Sequence, residues 1–137
     1  MKTYITLLLL FFSLSISAQD IFGEWQTINN EGEKKSVVKI YEENGVVYGK
    51  IVKINDQNKV NALCTKCEGE DYNKPILGLK IIKDAVKDGD YYKHGTIIDP
   101  QNGNTYKLRL AINEKGQLQV RGYLGFIYST QYWEKVK

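Results

Sequence analysis

Two runs of alternating apolar and polar residues, 95–98 and 104–113, flank one tight loop in the last third of the chain. Asp99 suits the entry of this loop because its carboxylate accepts backbone N–H groups, and Pro100 presets φ at the next position. Gly103 supplies the positive φ that lets the chain return. The pattern predicts a β-hairpin with Asp99 and Gly103 as structural residues of its turn.

Similar runs recur at regular spacing along the chain, and no amphipathic helix interrupts them. Asn44-Gly45 marks a second hairpin. Residues 55–74 show neither the periodicity of a helix nor that of a strand, which indicates a long loop. The sequence therefore predicts an all-β fold, a single antiparallel eight-stranded meander that closes into a small barrel without free edges. The predicted strands span residues 23–27, 36–41, 46–54, 76–83, 91–98, 104–113, 117–123 and 127–136.

The N-terminus has the features of a secretory signal peptide: a positive start, an apolar run at 4–16 and a small-residue exit at Ser17-Ala18. The run is shorter than the roughly 20 residues of a membrane-spanning helix. We expect residues 1–18 to be removed and residues 19–137 to form one soluble domain, periplasmic or extracellular. No cysteine lies at the cleavage site, so we do not expect a lipoprotein, and no transmembrane segment would remain.

The charge and the chemically reactive residues exclude several function classes. The formal net charge is +3, and the lysines are scattered among carboxylates, which argues against a nucleic-acid partner and against a polybasic membrane role. His94 is the single histidine, and no cluster resembles a nucleophile with its base or a set of metal ligands. The sequence therefore predicts no catalytic residues, no metal and no cofactor.

The hairpin registers place Leu108 inward between Gly95 and Gly122, and Gly49 inward in its own hairpin. Glycine within a strand marks a bend or a place where something approaches the backbone closely. These inward glycines can be interpreted in two ways: they allow the barrel wall to bend, or they leave space for a ligand. The candidate ligand-binding residues are Gly49, Gly95, Tyr106, Leu108 and Gly122.

The same registers place His94 opposite Arg109, and Arg109 opposite Arg121, in a row on the outer face. Like charges directly across a sheet are unfavourable unless an anion lies between them. A solvated row paired by nearby carboxylates is one interpretation. A small anion site formed by His94, Arg109 and Arg121 is the other.

The chain has two cysteines, Cys64 and Cys67, separated by two residues. A closed zinc site needs four ligands, and a thioredoxin-type centre needs a βαβ setting that the pattern lacks. A disulfide fits an exported protein best. Closing its four-residue ring removes about 2 kcal/mol of unfolded-chain entropy, so it would fix the loop more than the barrel.

A set of short motifs follows a distinctive order along the chain: Gly23-x-Trp25, Lys35-Ser36, Tyr48-Gly49-Lys50-Ile51, Cys64-x-x-Cys67, Pro75-Ile76-x-Gly78-Leu79, Asp99-Pro100-x-x-Gly103-x-x-Tyr106, Arg121-Gly122-Tyr123 and Gln131-x-Trp133. By their order and spacing these motifs resemble the exported bacterial domain-of-unknown-function family 2147 over nearly all of residues 19–137. The resemblance implies a small lipocalin-like (calycin) barrel in which Trp25 closes one end beneath a basic side chain, Arg121 or Lys135. Where Trp-x-Arg is expected near the end, this chain has Trp133-Glu134-Lys135. The family brings no established activity.

The leading hypothesis is an exported cell-envelope protein, not an enzyme, that binds a small apolar or amphipathic ligand in its barrel. The alternative is a structural or protein-interaction module, because small eight-stranded barrels are often just wide enough for their own side chains. Thiol exchange through Cys64 and Cys67 is the third hypothesis. The sequence leaves the ligand's identity and the oligomeric state open.

Overall fold

The structure, a computed structural model, describes residues 20–137, so the predicted signal peptide and its cleavage site lie outside the described residues. Two 3₁₀ helices, Gln57–Lys59 and Gly69–Asp71, lie in the long loop. No helix within residues 20–137 is long and apolar enough to cross a membrane. The strands are β1 (Gly23–Ile28), β2 (Lys34–Glu43), β3 (Val46–Ile54), β4 (Lys80–Asp88), β5 (Tyr91–Lys93), β6 (Thr96–Ile98), β7 (Thr105–Ile112), β8 (Leu118–Leu124) and β9 (Ile127–Lys135).

The antiparallel sheet closes on itself, because the first strand, β1, pairs with the last, β9, and the pairing of β3 with β4 completes the ring. β5 and β6 each pair with both β4 and β7, and together they occupy one position in the wall. The result is an eight-stranded antiparallel barrel. The predicted fold class is confirmed.

The turns set the registers that the sequence predicts. Asn44 and Gly45 adopt φ angles of 53° and 79°, and the turn places Ile40 opposite Gly49. In the hairpin of β7 and β8, Leu108 lies opposite Gly122. Because side chains alternate along a strand, these registers direct one apolar row to the interior.

The break between β5 and β6 lies at His94 and Gly95. Tyr92 pairs with Leu110 before the break and Ile97 pairs with Tyr106 after it, so the ladder shifts by one residue. His94 has a φ of 68°, which turns the strand, and the expected pairing of His94 with Arg109 is therefore wrong.

The long loop extends further than the sequence predicts. Gly78 has a φ of 92° and the Leu79 amide donates to the Ile76 carbonyl at 3.0 Å, so residues 76–79 form a turn. β4 therefore begins at Lys80 rather than at Ile76. Alternating apolar residues alone do not distinguish such a turn from a strand.

The two ends of the barrel differ. At one end, which we call the closed end, residues 20–22 enter β1 and the core side chains of Val47 and Leu110 are fully buried. At the other, which we call the open end, lie residues 29–33, 55–79 and 99–104 and the turn between β8 and β9. The cavity of the barrel opens at the second end.

Candidate functional site

The barrel contains a cavity of about 560 Å³ that opens between the loops of the open end. Small-molecule sites are typically roughly 300–1,000 Å³, so the volume suits one small ligand. Below it, Val38, Leu110 and Leu118 are fully buried and fill the lumen. One half of the barrel is therefore packed by its own side chains, and the other half is open.

One wall of the cavity is apolar. Its side chains come from β3, β4, β6, β8 and β9, and each is less than a tenth exposed. They are Ile51, Ile81, Ile98, Val120 and Trp133. Each methylene of a ligand buried against this wall would gain about 0.8 kcal/mol from the hydrophobic effect.

The adjoining wall carries neutral polar groups from β1, the turn after β1, β2 and β9. The Thr27 and Ser36 hydroxyls lie 3.2 Å apart, and Asn30 donates to the Ser129 hydroxyl at 3.0 Å. Gln131 completes this wall and lies opposite Val120 on β8. A ligand here would meet hydrogen-bonding groups on one side and hydrocarbon on the other.

The orientation of the Gln131 amide is fixed by its neighbour Trp133. The indole Nε1 donates to Gln131 Oε1 at 3.0 Å, and an indole nitrogen can only donate. The amide oxygen of Gln131 therefore faces Trp133, and the NH₂ group is turned away from it. Since Gln131 lines the cavity, that group is a hydrogen-bond donor available to a ligand.

The rim of the cavity carries both signs of charge. Lys35 forms an ion pair with Glu33 at 3.2 Å, and hydrogen bonds with Glu31, Asn29 and Lys35 lower the pKa of Glu33. Lys34 and Lys59 also line the rim, and within residues 20–137 neither has a carboxylate within 4.0 Å. The polar end of an amphipathic ligand would meet these lysines at the mouth.

The structure brings two of the five predicted ligand-binding residues to the cavity, namely Tyr106 and Gly122. A Cβ atom on Gly122 would lie 3.2 Å from the Tyr106 Cβ and 3.8 Å from the Ile97 Cγ2, so Gly122 leaves room for these side chains. Leu108 is only 3% exposed and belongs to the core cluster.

Gly49 and Gly95 have a different role. A Cβ on Gly95 would collide with the Lys83 carbonyl and lie 2.6 Å from the Ala85 nitrogen. A Cβ on Gly49 would lie 3.0 Å from two atoms of Ile82. Gly95 therefore allows β4 to approach closely, and Gly49 leaves room for core side chains of Ile82 and Val38. Neither glycine lines the cavity, which corrects their interpretation as candidate ligand contacts.

The predicted outer row of cations does not form one site. Arg109 and Arg121 lie opposite each other, as expected. His94 points instead to Asp88, with 2.8 Å between His94 Nε2 and Asp88 Oδ2, and this hydrogen bond lowers the pKa of Asp88. His94 does not lie in the row with Arg109 and Arg121, because the strand breaks at this position.

The two arginines also turn towards different aromatic rings. The Arg109 guanidinium lies 4.3 Å from the Tyr91 ring centroid, and the Arg121 guanidinium lies 4.3 Å from that of Tyr128. The Arg121 Nε donates to the Thr130 hydroxyl at 2.9 Å, whereas the buried Arg109 Nε has no partner within residues 20–137. Stacking on tyrosine stabilises each cation and separates the two charges.

Cys64 and Cys67 form a disulfide that is buried in the core cluster, with 5.3 Å between the Cα atoms. The Gly103 amide donates to the Asp99 carbonyl at 2.7 Å, and Gly103 has a φ of 75°. A Cβ on Gly103 would collide with the Lys66 carbonyl. The disulfide-bonded loop therefore packs on the turn between β6 and β7 and helps to form the rim.

At the closed end, Trp25 is 1% exposed and its Nε1 donates to the Ile21 carbonyl at 2.8 Å. Lys135 Nζ lies 4.8 Å from the Trp25 ring and donates to the Phe22 carbonyl at 2.7 Å. Of the two basic residues that the resemblance offers, Lys135 takes this position. Arg121 lies elsewhere on the outer face.

A depression of about 550 Å³ also lies outside the barrel, beside the long loop. Its Asp71 is paired with Lys83 at 2.7 Å and with Lys74 at 3.6 Å, so these charges already neutralise one another. Within residues 20–137 no group of three potential ligands could hold a metal ion. The barrel cavity is therefore the better candidate site.

Three cavity residues, Thr27, Ser129 and Gln131, are not among the site residues that the sequence predicts. All three are polar residues at strand positions that line the cavity, and a search for alternating apolar residues does not find such positions. A signal was present in β9, because Ser129 and Gln131 alternate in phase with the inward Trp133. Counting two and four residues back from that tryptophan identifies Gln131 and Ser129.

Comparisons with known proteins agree with the barrel. Protein HP1028 from the human pathogen Helicobacter pylori, whose structure is described as belonging to the lipocalin family, is similar at a TM-score of 0.75 and 24% identity. The similarity covers 88% of this chain and 85% of that one, and it shows the fold alone. A comparison with curated proteins gave no match.

The model of one protein family, described as an uncharacterized protein conserved in bacteria (DUF2147), matches residues 23–135. That range runs from the first residue of β1 to the last residue of β9 and so contains the whole barrel. The chain belongs to the DUF2147 family.

Proposed function

We propose that the protein is an exported binding protein of the cell envelope, without catalytic activity, that holds a small apolar or amphipathic ligand in its barrel. The observation that carries the proposal is the cavity of about 560 Å³, open at one end of the barrel. A barrel used only as a rigid module has no need of this space. Export is supported by the N-terminal sequence, and the disulfide is consistent with it.

The two walls of the cavity limit the class of ligand. The apolar wall, with Ile51 and Val120, favours a hydrocarbon chain or ring, and the neutral polar wall favours a ligand with a hydrogen-bonding group along its length. Buried polar groups are costly when they lack a partner. We therefore expect a mixed ligand, such as an acyl ester or a fatty acid, to bind better than a pure alkane of equal length.

Titration of residues 19–137 with N-phenyl-1-naphthylamine, a neutral apolar dye that becomes fluorescent in apolar surroundings, tests the proposal. A matched pair of variants locates the binding site. Ser129 lines the mouth and pairs with Gly122, whereas the next residue, Thr130, pairs with Arg121 on the outer face. Ser129→Trp should weaken saturable dye binding by about tenfold, roughly 1.4 kcal/mol, and Thr130→Trp should leave it unchanged.

Absence of saturable binding by the wild-type protein, tested with several apolar probes, would favour the alternative module. An equal loss in both variants would place the dye outside the cavity.

The donor of Gln131 provides a second test, which concerns ligand class. Methyl laurate has an ester oxygen that accepts a hydrogen bond, and dodecane has none. We expect methyl laurate to displace the dye more effectively, by about fivefold, as one net hydrogen bond of roughly 1 kcal/mol predicts. Gln131→Met, which is similar in size, should abolish this preference. A preference that persists in the variant would exclude Gln131 as the donor.

Thiol exchange receives less support than binding. Cys64 and Cys67 are 0% and 4% exposed, and an exchange reaction requires attack on an accessible sulfur. Their position in the core favours a structural disulfide that holds the rim.

A further inference from the structure

The turn between β8 and β9 exposes a group of apolar side chains at the open end of the barrel. Phe126 is 93% exposed, and its three neighbours are each more than half exposed. We call this group the β8–β9 tip. Its members are Leu124, Phe126, Ile127 and Tyr128.

The barrel itself does not require these residues. Leu124 pairs with Ile127, so Gly125 and Phe126 form a two-residue turn, and Gly125 supplies the positive φ of 63°. A turn of this kind accepts polar residues, as Asn44-Gly45 shows in the same barrel. Phe126 gains no packing in this position. An exposed apolar surface of this kind is typical of a site that contacts a partner outside the chain.

Along the β8–β9 hairpin itself the charges have one sign, although the neighbouring loop 29–33, which is hydrogen-bonded to Ser129 through Asn30, carries Glu31 and Glu33. No Asp or Glu occurs in residues 115–133, whereas the loops 29–33, 55–79 and 99–104 at the same end all contain carboxylates. Arg121 stacks on Tyr128, and within residues 20–137 it has no carboxylate within 4.0 Å. An apolar tip with a cation behind it is complementary to an anionic lipid surface.

Two tyrosines stand between the tip and the cation. The Tyr123 and Tyr128 ring centroids are 5.6 Å apart, and Tyr123 pairs with Lys107 on β7. Tyrosine is enriched where one end of a side chain is apolar and the other wet, as at the level of lipid headgroups. The order along the hairpin, from apolar tip through phenols to cations, follows the polarity gradient of a bilayer surface.

A second copy of the chain fits this surface less well. Four side chains with the observed exposures present on the order of 500 Å². A stable protein interface buries about 800 Å² on each partner. The tip is also a narrow hairpin end, whereas insertion into a bilayer needs only a few apolar side chains.

We propose that the β8–β9 tip inserts into the headgroup region of an anionic lipid bilayer and places the cavity mouth against it. Ser129, which lines the mouth, directly follows Tyr128 of the tip. A ligand would then pass between bilayer and barrel without crossing water. This passage rests on the proposed ligand binding, whereas insertion of the tip does not, and the tip and the cavity are tested separately.

Sedimentation of residues 19–137 with vesicles tests this inference. One set of vesicles contains equal parts phosphatidylglycerol and phosphatidylcholine, and the other contains phosphatidylcholine alone. We expect binding to the anionic vesicles that weakens as salt rises, and a loss of about tenfold in Phe126→Asp. Tyr72→Asp is the matched control, since Tyr72 is 60% exposed at the same end but lies outside the tip. It should bind as the wild type does.

A spectroscopic variant reports insertion directly. Trp25 and Trp133 are buried, so the tryptophan of Phe126→Trp would be the exposed one among residues 20–137. Its emission should shift to shorter wavelength with anionic vesicles.

Three results would overturn the inference: no vesicle binding by the wild type, undiminished binding by Phe126→Asp, or an unchanged Phe126→Trp emission. A wild-type dimer in light scattering that Phe126→Asp dissociates, without vesicle binding, would assign the tip to a second copy. Without vesicles, Phe126→Asp should bind the dye with the same affinity as the wild type. A failure of the tip proposal can then be distinguished from a failure of the cavity proposal.

Discussion

A methyl group added at Gly95 should have a very different effect from one added at Gly122. At Gly95 the new Cβ would meet backbone atoms of β4, the Lys83 carbonyl and the Ala85 nitrogen, the latter at 2.6 Å. At Gly122 the nearest atom would be the Cβ of Tyr106 at 3.2 Å. A side chain can shift by a few tenths of an ångström, but a strand held by its hydrogen bonds cannot do so without loss.

Overpacking of a core typically costs about 1–3 kcal/mol. Gly95→Ala should reach or exceed the upper limit, because two strands of the closed sheet must separate, and we expect a loss of about 3 kcal/mol or more. Gly122→Ala borders the cavity and should cost about 1 kcal/mol or less. For a domain of this size the first loss corresponds to a decrease in Tm of roughly 10–15 °C.

Urea denaturation followed by tryptophan fluorescence measures both free energies of unfolding, and calorimetry gives the two Tm values. The Gly122→Ala variant is the control for the general effect of replacing a strand glycine. If the two variants lost stability to within about 0.5 kcal/mol of each other, the close approach of Gly95 to β4 would be refuted.

The remaining predictions concern the closed end, the outer face and the disulfide. Trp25→Ala should lower the free energy of unfolding by about 3–5 kcal/mol, and a loss below about 1 kcal/mol in urea would contradict a packed closed end. His94 lowers the pKa of Asp88, so this carboxylate stabilises the fold above its ordinary pKa of 3.8, and the benefit is lost as pH falls through the lowered value. The Tm difference between wild type and Asp88→Asn should therefore shrink on acidification, and a constant difference would contradict the pairing. Intact mass of the freshly exported protein should show Gln19 as the first residue and no alkylation of Cys64 or Cys67 without reductant; two alkylated thiols would exclude the disulfide.

Local rules in the sequence were sufficient for the barrel and for most of its registers. Asn44-Gly45 and the Asp99–Gly103 turn fix the pairing of their strands, and alternation then selects the inward face. Trp25 at a barrel end followed from the family resemblance. These features depend on neighbours along the chain or directly across a hairpin.

Features that depend on distances between strands could not be predicted in this way. Alternation assigned Gly95 and Gly122 to the same face, but only the structure shows that Gly95 lies against β4 while Gly122 borders open space. The break at His94 has the same origin, since its φ of 68° is set by the way the wall bends. Polar residues such as Gln131 are invisible to an apolar pattern even when they face inward.

The central claim, that the open half of the barrel binds a ligand, is tested most directly by nuclear magnetic resonance. ¹⁵N-labelled residues 19–137 would be titrated with methyl laurate, and amide shift changes mapped on the structure. We predict saturable changes at cavity residues such as Ile51, Val120 and Gly122, and none at Tyr72 on the long loop. Changes confined to the outer face or the β8–β9 tip, or the absence of saturable change, would contradict the claim.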